Sequence, residues 1–270
     1  MTAVTEGPTD APTIGMLLRE WRERAGLSQL ELALRADSSA RHISFIETGR
    51  TAPSREMVLK LAATLDVPVR ERNTLLLSAG FAPAFAATPL DDPALGQVRG
   101  ALERMVAAYD PYPALVLDGC YTVVAANQGI AALLEGVAPH LLEPPSNAMR
   151  ITLHPEGLAP RIRNLAEWRG HLLDQMSRQL ALYRSPALRA LHDEVAAYPV
   201  PGGDTAPAQP ATGEQRFALP MVIEHGGQTL SFLSTIATFN TPLDVTVSEL
   251  AVETFLPADP ATAKALHHSG

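Results

Sequence analysis

The feature that most constrains this chain is a pair of short, capped helices early in the sequence. Ser28 followed by Glu31 is typical of a capping box, in which each side chain bonds the backbone N–H of the other residue. Ser39 is a favoured cap for the next helix, and Gly49 is a favoured residue just past its end. Only a short turn fits between the two helices. The pattern therefore predicts a helix-turn-helix.

Residues 13–80 as a whole carry apolar side chains at helical spacing, interrupted by glycine and proline. These breaks divide the segment into five short helices with connections of a few residues. In the second helix we expect an apolar face made of Leu30, Ala33 and Leu34. The segment therefore predicts a compact all-α domain.

The third helix of this domain begins with a polar and basic turn. In a helix-turn-helix, the second helix of the pair enters the major groove of DNA with its N-terminal residues first. Arg41 and His42 lie in that turn, and arginine is the commonest reader of guanine. Phe45, one turn later, can pack on a thymine methyl group, while Leu32, Ile43 and Ile46 point into the core. The alternative is a plain helical hairpin, which gives no reason for this basic turn.

Segment 14–67 resembles the phage-repressor or xenobiotic-response-element type of helix-turn-helix regulator. The matching residues are Gln29, Glu31, Leu32, Ala33, Ile43, Ser44, Ile46, Glu47, Gly49 and Pro53. The resemblance implies contacts with double-stranded DNA. We expect Ala40, Arg41 and Phe45 to face bases. We expect Gln29, Thr48 and Arg50 to approach phosphates, with Ser39 and His42 as further candidates at the helix start.

Two residues in the turn depart from this family pattern. Asp37 stands where the turn usually has glycine, and Asp tolerates the left-handed backbone conformation that such a turn requires. Ser38 stands where a small apolar residue usually plugs the turn into the core. We expect a small loss of stability from Ser38 and no effect on the positions that face DNA.

The charge of the chain is unevenly distributed. The net charge is -8, and residues 1–80 balance ten basic against ten acidic side chains, so the acidity lies in residues 81–270. A neutral DNA-binding domain gains little from general attraction to phosphates. We therefore expect affinity to depend on specific contacts and on a homodimer that binds two half-sites.

Several other classes of protein are disfavoured by the sequence. No apolar run is long enough to span a membrane, and residues 1–12 look like a disordered leader without a signal peptide, so we expect a cytoplasmic protein. Cys120 is the single cysteine, so the chain cannot form an internal disulfide. Three interpretations of Cys120 remain: it has no special role, it senses oxidants, or it links two subunits. The histidines match no metal motif. We find no nucleophile–base pair, and expect neither an enzyme nor a cofactor.

The rest of the chain mixes strands and helices. Residues 81–109 read as a linker and a bridging helix, 110–260 as a second domain, and 261–270 as a tail. Strands are predicted at 113–118 and 121–126 around Asp118-Gly119, at 216–224 and 228–240 around Gly226-Gly227, and at 249–256. A long amphipathic helix is predicted at 160–183. This order suits an α+β domain with one antiparallel sheet covered on one face by helices.

Segments 67–85, 153–157 and 238–259 resemble regulators with an MmyB-like ligand-binding domain. That resemblance implies a PAS-like fold that holds a fatty acid, and a ligand-responsive regulator, which we expect to be a repressor. Residues expected to bind the apolar chain or its carboxylate are Leu117, Ile162, Arg163, Leu165, His171, Leu172, Met176, Phe232 and Ile236, with Arg161 as a further candidate near the carboxylate. Two alternatives remain: these positions are ordinary core, or the domain is a protein-interaction or dimerisation module without a small-molecule ligand.

Overall fold

The structure is a computed structural model that describes residues 12–183, 185–200 and 218–268. These residues divide into two units: those up to Ala87 together with Pro242–Val245, and Thr88–Thr241 together with the residues from Thr246 onward. No described helix is both long enough and apolar enough to cross a membrane.

The first unit contains five α-helices, as the sequence predicts. They are α1 (Ile14–Arg24), α2 (Gln29–Arg35), α3 (Ala40–Glu47), α4 (Arg55–Thr64) and α5 (Val69–Ser78). Four of them begin at a Thr or Ser whose hydroxyl accepts a backbone N–H of the first turn. At α2 the capping box is complete. The helical caps are thus local features that the sequence alone specifies.

The predicted apolar face of α2 is wrong in part. Leu30 and Leu34 are 59% and 72% exposed, whereas Leu32, Ala33 and Ala36 are buried. The buried stripe follows helical spacing, but it is rotated towards the core formed with α1 and α3. A helix of only seven residues carries too few apolar positions for the sequence to decide which stripe its neighbours will cover.

The turn between α2 and α3 has the predicted left-handed residue. Asp37 has φ of 44°, which confirms that Asp occupies the position usual for glycine. Ser38 is half-buried, and its hydroxyl oxygen lies 3.3 Å from Nδ1 of His42. The hydroxyl therefore has a polar partner, and the nearby Ala36 is buried in the core of the first unit.

The second unit contains a single five-stranded antiparallel sheet, as predicted, but helices cover both of its faces and not only one. The helix Gly96–Ala107 packs on the face of Ala114 and Val116, whereas Leu115 and Leu117 belong to the core on the other face. The strands of the sheet are β1 (Ala114–Leu117), β2 (Val123–Ala126), β3 (Met221–His225), β4 (Gln228–Thr238) and β5 (Ala251–Pro257), in the order β2-β1-β5-β4-β3. Gly226 and Gly227 have φ of 57° and 75°, so they form the predicted tight turn between β3 and β4. Strand β5 lies at the centre of the sheet.

The remaining helices are α6 (Gly96–Ala107), α7 (Gln128–Leu133), α8 (Pro139–Leu142), α9 (Ala148–Leu153), α10 (Leu165–Leu182), α11 (Pro186–Ala196), α12 (Val245–Ser248) and α13 (Pro260–His268). Helices α8, α9 and α12 are too short to give a periodic signal and were not expected. Helix α13 occupies most of the segment expected to be a tail. It is held by Thr262, which is buried and accepts the Ser231 backbone N–H at 3.0 Å.

The helix predicted over 160–183 begins later than expected. Residues Ala159–Arg161 form a 3₁₀ turn, and Ile162 pairs with Ile223 of β3 as an isolated bridge. The Asn164 side chain then bonds the start of β3, donating to the carbonyl of Pro220 and accepting the Val222 N–H. These bonds to the sheet edge outweigh the helical preference of the segment, so α10 starts at Leu165.

Candidate DNA interface and ligand cavity

Helix α3 exposes a basic and aromatic surface. Arg41 and Arg50 are exposed, and their guanidinium carbons lie 5.1 and 5.6 Å from the centre of the Phe45 ring. Such distances allow cation–π attraction, which holds the two cations around the half-buried ring. Ala40 is half-buried at the start of the same helix. Arg41 and Phe45, expected to face bases, thus share one surface with Arg50, expected to approach a phosphate, whereas Ala40 packs against the core of the first unit.

Gln29 is held by a buried ion pair. Its Nε2 donates to Oε2 of Glu47 at 2.9 Å, and Glu47 is paired with Arg22 through contacts of 2.6 and 2.9 Å. The side chains of Arg22 and Glu47 are 10% and 4% exposed. One amide N–H of Gln29 is therefore used inside the protein, which fixes the side chain at the start of α2.

The remaining candidates for phosphate contacts take part in capping. Ser39 Oγ accepts the N–H of His42 at 3.1 Å, which leaves the hydroxyl proton of Ser39 to donate elsewhere. Thr48 is different, because its hydroxyl donates to the carbonyl of Ser44 at 2.7 Å. In this arrangement Ser39 has a donor for a phosphate, and the Thr48 side chain does not.

The pairing of Arg22 with Glu47 was missed by the sequence analysis. The two residues lie 25 positions apart, and neither position alone signals a partner. Glu47 is one of the residues that match the helix-turn-helix family pattern. That match was the one sequence signal that its side chain stabilises the fold.

The second unit has a partly open cavity of about 410 Å³ between the sheet and helices α7, α9 and α10. Its walls are mostly apolar. Representative lining residues are Leu115, Ile130, Leu134, Met149, Ile151, Trp168, Leu172, Met221 and Phe255. The volume falls within the range of roughly 300–1,000 Å³ that is typical of small-molecule sites.

Of the nine residues expected to bind a ligand, Leu172 lies in the wall of this cavity. Five others are buried in the surrounding core: Leu117, Ile162, Leu165, Met176 and Phe232. Ile236 is 49% exposed, and Arg163 and His171 are exposed. Arg163 pairs with Glu224 at 2.5 Å, and the ring of His171 lies 5.4 Å from that of Trp168. The structure therefore does not gather the nine residues around one space.

The cavity also has a polar residue that the sequence analysis missed. Glu253, on the central strand β5, lines the cavity, and its Oε1 accepts the Ser234 hydroxyl at 2.6 Å. Burial raises the pKa of this carboxyl above its usual range, against the opposing effect of the Ser234 hydrogen bond. A signal was present, since Glu253 lies in an apolar strand at a position that alternates inward with Phe255.

Three possible metal ligands meet away from the cavity. Side-chain ligand atoms of His140, His154 and Glu156 all lie within 4.8 Å of one another. However, Nδ1 of His154 accepts the backbone N–H of Glu156 at 3.1 Å, so in the neutral ring the proton sits on the other nitrogen. The three residues thus form a hydrogen-bonded turn. In it the lone pair of His154 Nδ1 accepts a backbone hydrogen bond, so Nδ1 cannot bind a metal at the same time.

Comparison with known proteins gives two family matches. The model described as "MmyB-like transcription regulator ligand binding domain" matches residues 98–268, and a helix-turn-helix model matches residues 18–72. No curated protein matches the chain. A solved structure titled "Structure of an RNA-binding Light-Oxygen-Voltage Receptor" is 14% identical, with a TM-score of 0.26. That similarity covers 95% of this chain and 60% of the other.

Proposed function

Because this chain belongs to the MmyB-like transcription regulators, we propose that it is a homodimeric repressor whose DNA binding is controlled by a small apolar ligand. The combination of a helix-turn-helix with this ligand-binding domain makes it a DNA-binding transcription regulator, which has no need of catalytic chemistry. The observation that carries the proposal is the clustering of Arg41, Phe45 and Arg50 on the exposed face of α3.

In the proposed complex, the first turn of α3 enters the major groove. Arg41 donates two hydrogen bonds to a guanine, and Phe45 packs on a neighbouring thymine methyl. Arg50, Gln29, Ser39 and His42 contact phosphates and fix the position of the helix on the duplex. Selection of binding sites from a random DNA pool tests this, because a specific reader enriches one sequence and a nonspecific binder enriches none.

A dimer is proposed because one helix-turn-helix unit contacts too few base pairs for a selective site, and the charge-balanced N-terminal segment adds little general attraction. We expect enriched sites to be inverted repeats with half-sites about one helical turn apart. Sedimentation velocity of the full chain, alone and with such a site, should give two chains per duplex. A single chain on a non-repeated site would contradict the dimer.

A ligand is proposed because the cavity is mainly apolar, is lined by sheet and helices, and has a volume typical of small-molecule sites. A fatty-acid-like molecule with a long alkyl chain suits such walls. Native mass spectrometry of the purified chain, followed by organic extraction, tests for a bound lipid. The alternative, an interaction module without a small-molecule ligand, predicts that no alkyl compound binds and that DNA binding does not respond to one.

Repression is proposed as the sign of regulation, with the ligand changing the affinity of the dimer for its operator. In a transcription assay with a promoter overlapping the selected site, added protein should lower transcript yield. An increase would identify an activator and overturn this part of the proposal.

A further inference from the structure

The polar residue on the sheet side of the cavity is an acid. Glu253 lies on β5, opposite Leu115 of β1 and Ile236 of β4, and it lines the cavity together with Leu115. Among the described residues, the Ser234 hydroxyl donates a hydrogen bond to Oε1 of Glu253 at 2.6 Å. A carboxyl group has room for more than one hydrogen bond, so it can still accept one from a ligand.

The other lining residues give this carboxyl no cationic partner. The described walls contain no Arg, Lys or His, and the second ionisable residue in them is Glu135, which is exposed. A charged carboxylate in apolar surroundings is costly unless it is paired and hydrogen-bonded. Consistent with this cost, burial raises the pKa of Glu253. The described cavity walls therefore do not provide the cation that would best stabilise Glu253.

We propose that the ligand of this cavity is an alkyl chain with a hydrogen-bond-donating head group, above all a protonated amine, and that Glu253 binds that head group. This inference rests on the proposed function, because it assigns the chemistry of the same ligand site. The apolar walls hold the chain, and the amine supplies N–H donors together with the positive charge that the described walls lack.

This assignment narrows the fatty-acid-like ligand of the proposed function to an amphiphile whose head group is not an ionised carboxylate. Such a head group would place a second acid beside Glu253, and two neighbouring carboxylates cannot both stay ionised at low cost. The two arginines expected near a fatty acid head group, Arg161 and Arg163, bind other groups of the protein. Arg163 pairs with Glu224, and Arg161 donates to the carbonyl of Leu133 at 2.6 Å. Neither arginine lines the cavity.

The test compares three compounds with the same chain and different head groups: dodecylamine, dodecanol and dodecanoic acid. Binding to the full chain is measured by calorimetry below the concentration at which each compound forms micelles. Trp168 lines the cavity, so its fluorescence provides a second readout. We expect the amine to bind tightest, the alcohol next and the acid weakest.

A matched pair of variants separates Glu253 from general charge. Glu253→Gln keeps the shape and can still accept the Ser234 bond, and should weaken amine binding by about tenfold or more, since a charged hydrogen bond is lost. Glu135→Gln removes the exposed acid and should change amine affinity less than about twofold, because exposed charges are screened.

Two results would overturn the inference while leaving a ligand-binding regulator: tightest binding by the acid, or unchanged amine affinity in Glu253→Gln. If none of the three compounds binds, the proposed ligand function fails as well. The ranking of the three compounds on the unmodified chain needs no variant, so the inference stays testable even if Glu253→Gln does not fold.

Discussion

Arg22 of α1 and Glu47 of α3 form a bidentate ion pair, with Nε–Oε1 and Nη2–Oε2 distances of 2.6 and 2.9 Å. Arg22 also donates to the carbonyl of Leu27 at 2.8 Å, and Glu47 accepts from Gln29. The hydrogen bond that Arg22 donates to Glu47 raises the pKa of Arg22, so the guanidinium stays charged despite burial. This one pair connects the three helices that position the DNA-reading surface.

Removal of Arg22 should destabilise the first unit strongly. In Arg22→Met, the Glu47 carboxylate is left buried without its partner, and such a loss costs about 3–5 kcal/mol. Arg19→Met is the matched control on the same helix, because Arg19 pairs with Glu23 where both side chains are more than half exposed. An exposed pair contributes about 0–1 kcal/mol. Hydrogen exchange of the α1–α3 amides measures both changes, and equal losses would refute the structural role of the pair.

Gly15 is expected to tolerate no side chain. A Cβ atom there would lie 2.5 Å from the carbonyl oxygen of Ile46 and 2.7 Å from that of Glu47. Gly15→Ala must therefore push α1 away from the end of α3, at a cost of about 1–3 kcal/mol. Gly170→Ala, in an exposed part of α10 with nothing within 4 Å, should instead stabilise by up to about 1 kcal/mol. Denaturant unfolding of both variants checks the opposite signs, and a stabilised Gly15→Ala protein would contradict the close approach.

Stability should fall at alkaline pH because of Tyr121. Burial raises its pKa to about 12 from an ordinary value of 10.0, with a smaller contribution from the charge of Glu253. The folded state thus keeps a proton that the unfolded state releases. Its contribution to stability is complete below pH 10 and is lost as the pH rises to about 12. Tyr121→Phe should lose less stability than the unmodified protein in this range, as measured by denaturant unfolding at each pH. The same alkaline slope in both would be evidence against this origin.

Arg50 should contribute affinity without sequence preference. If it contacts a phosphate, Arg50→Ala weakens binding to all DNA sequences by a similar factor and lowers the slope of log affinity against log salt by about 1. Gel-shift titrations at several salt concentrations, on the selected site and on a scrambled duplex, measure both effects. A loss confined to the selected site would instead assign Arg50 to base recognition.

The helix-turn-helix was predictable because its determinants are local. The Ser28–Glu31 capping box and the left-handed Asp37 depend on neighbours within four residues, and the structure contains both. The exposed Leu30 and Leu34 were not predictable, since the buried face of a short helix depends on what packs against it. Local signals therefore defined the elements better than they defined the packing.

The cavity was harder to predict because it is built from elements with weak sequence signals. Helix α9 supplies Met149 and Ile151 to its wall, yet six residues are too few to show helical periodicity. The expected lining came mainly from a helix over 160–183, whose first residues instead lie against β3. Of the nine residues expected to line the cavity, Leu172 does so. Glu253 was not among them and was identified from the structure.

The central claim is that the first turn of α3 reads DNA bases, and Arg41→Ala tests it most directly. The selected site and versions with single base pairs changed are titrated with the unmodified chain and the variant. We expect Arg41→Ala to weaken binding to the selected site by roughly 1–3 kcal/mol and to lose discrimination at one guanine position. Unchanged affinity for the selected site, with discrimination retained at every position, would show that Arg41 does not read bases.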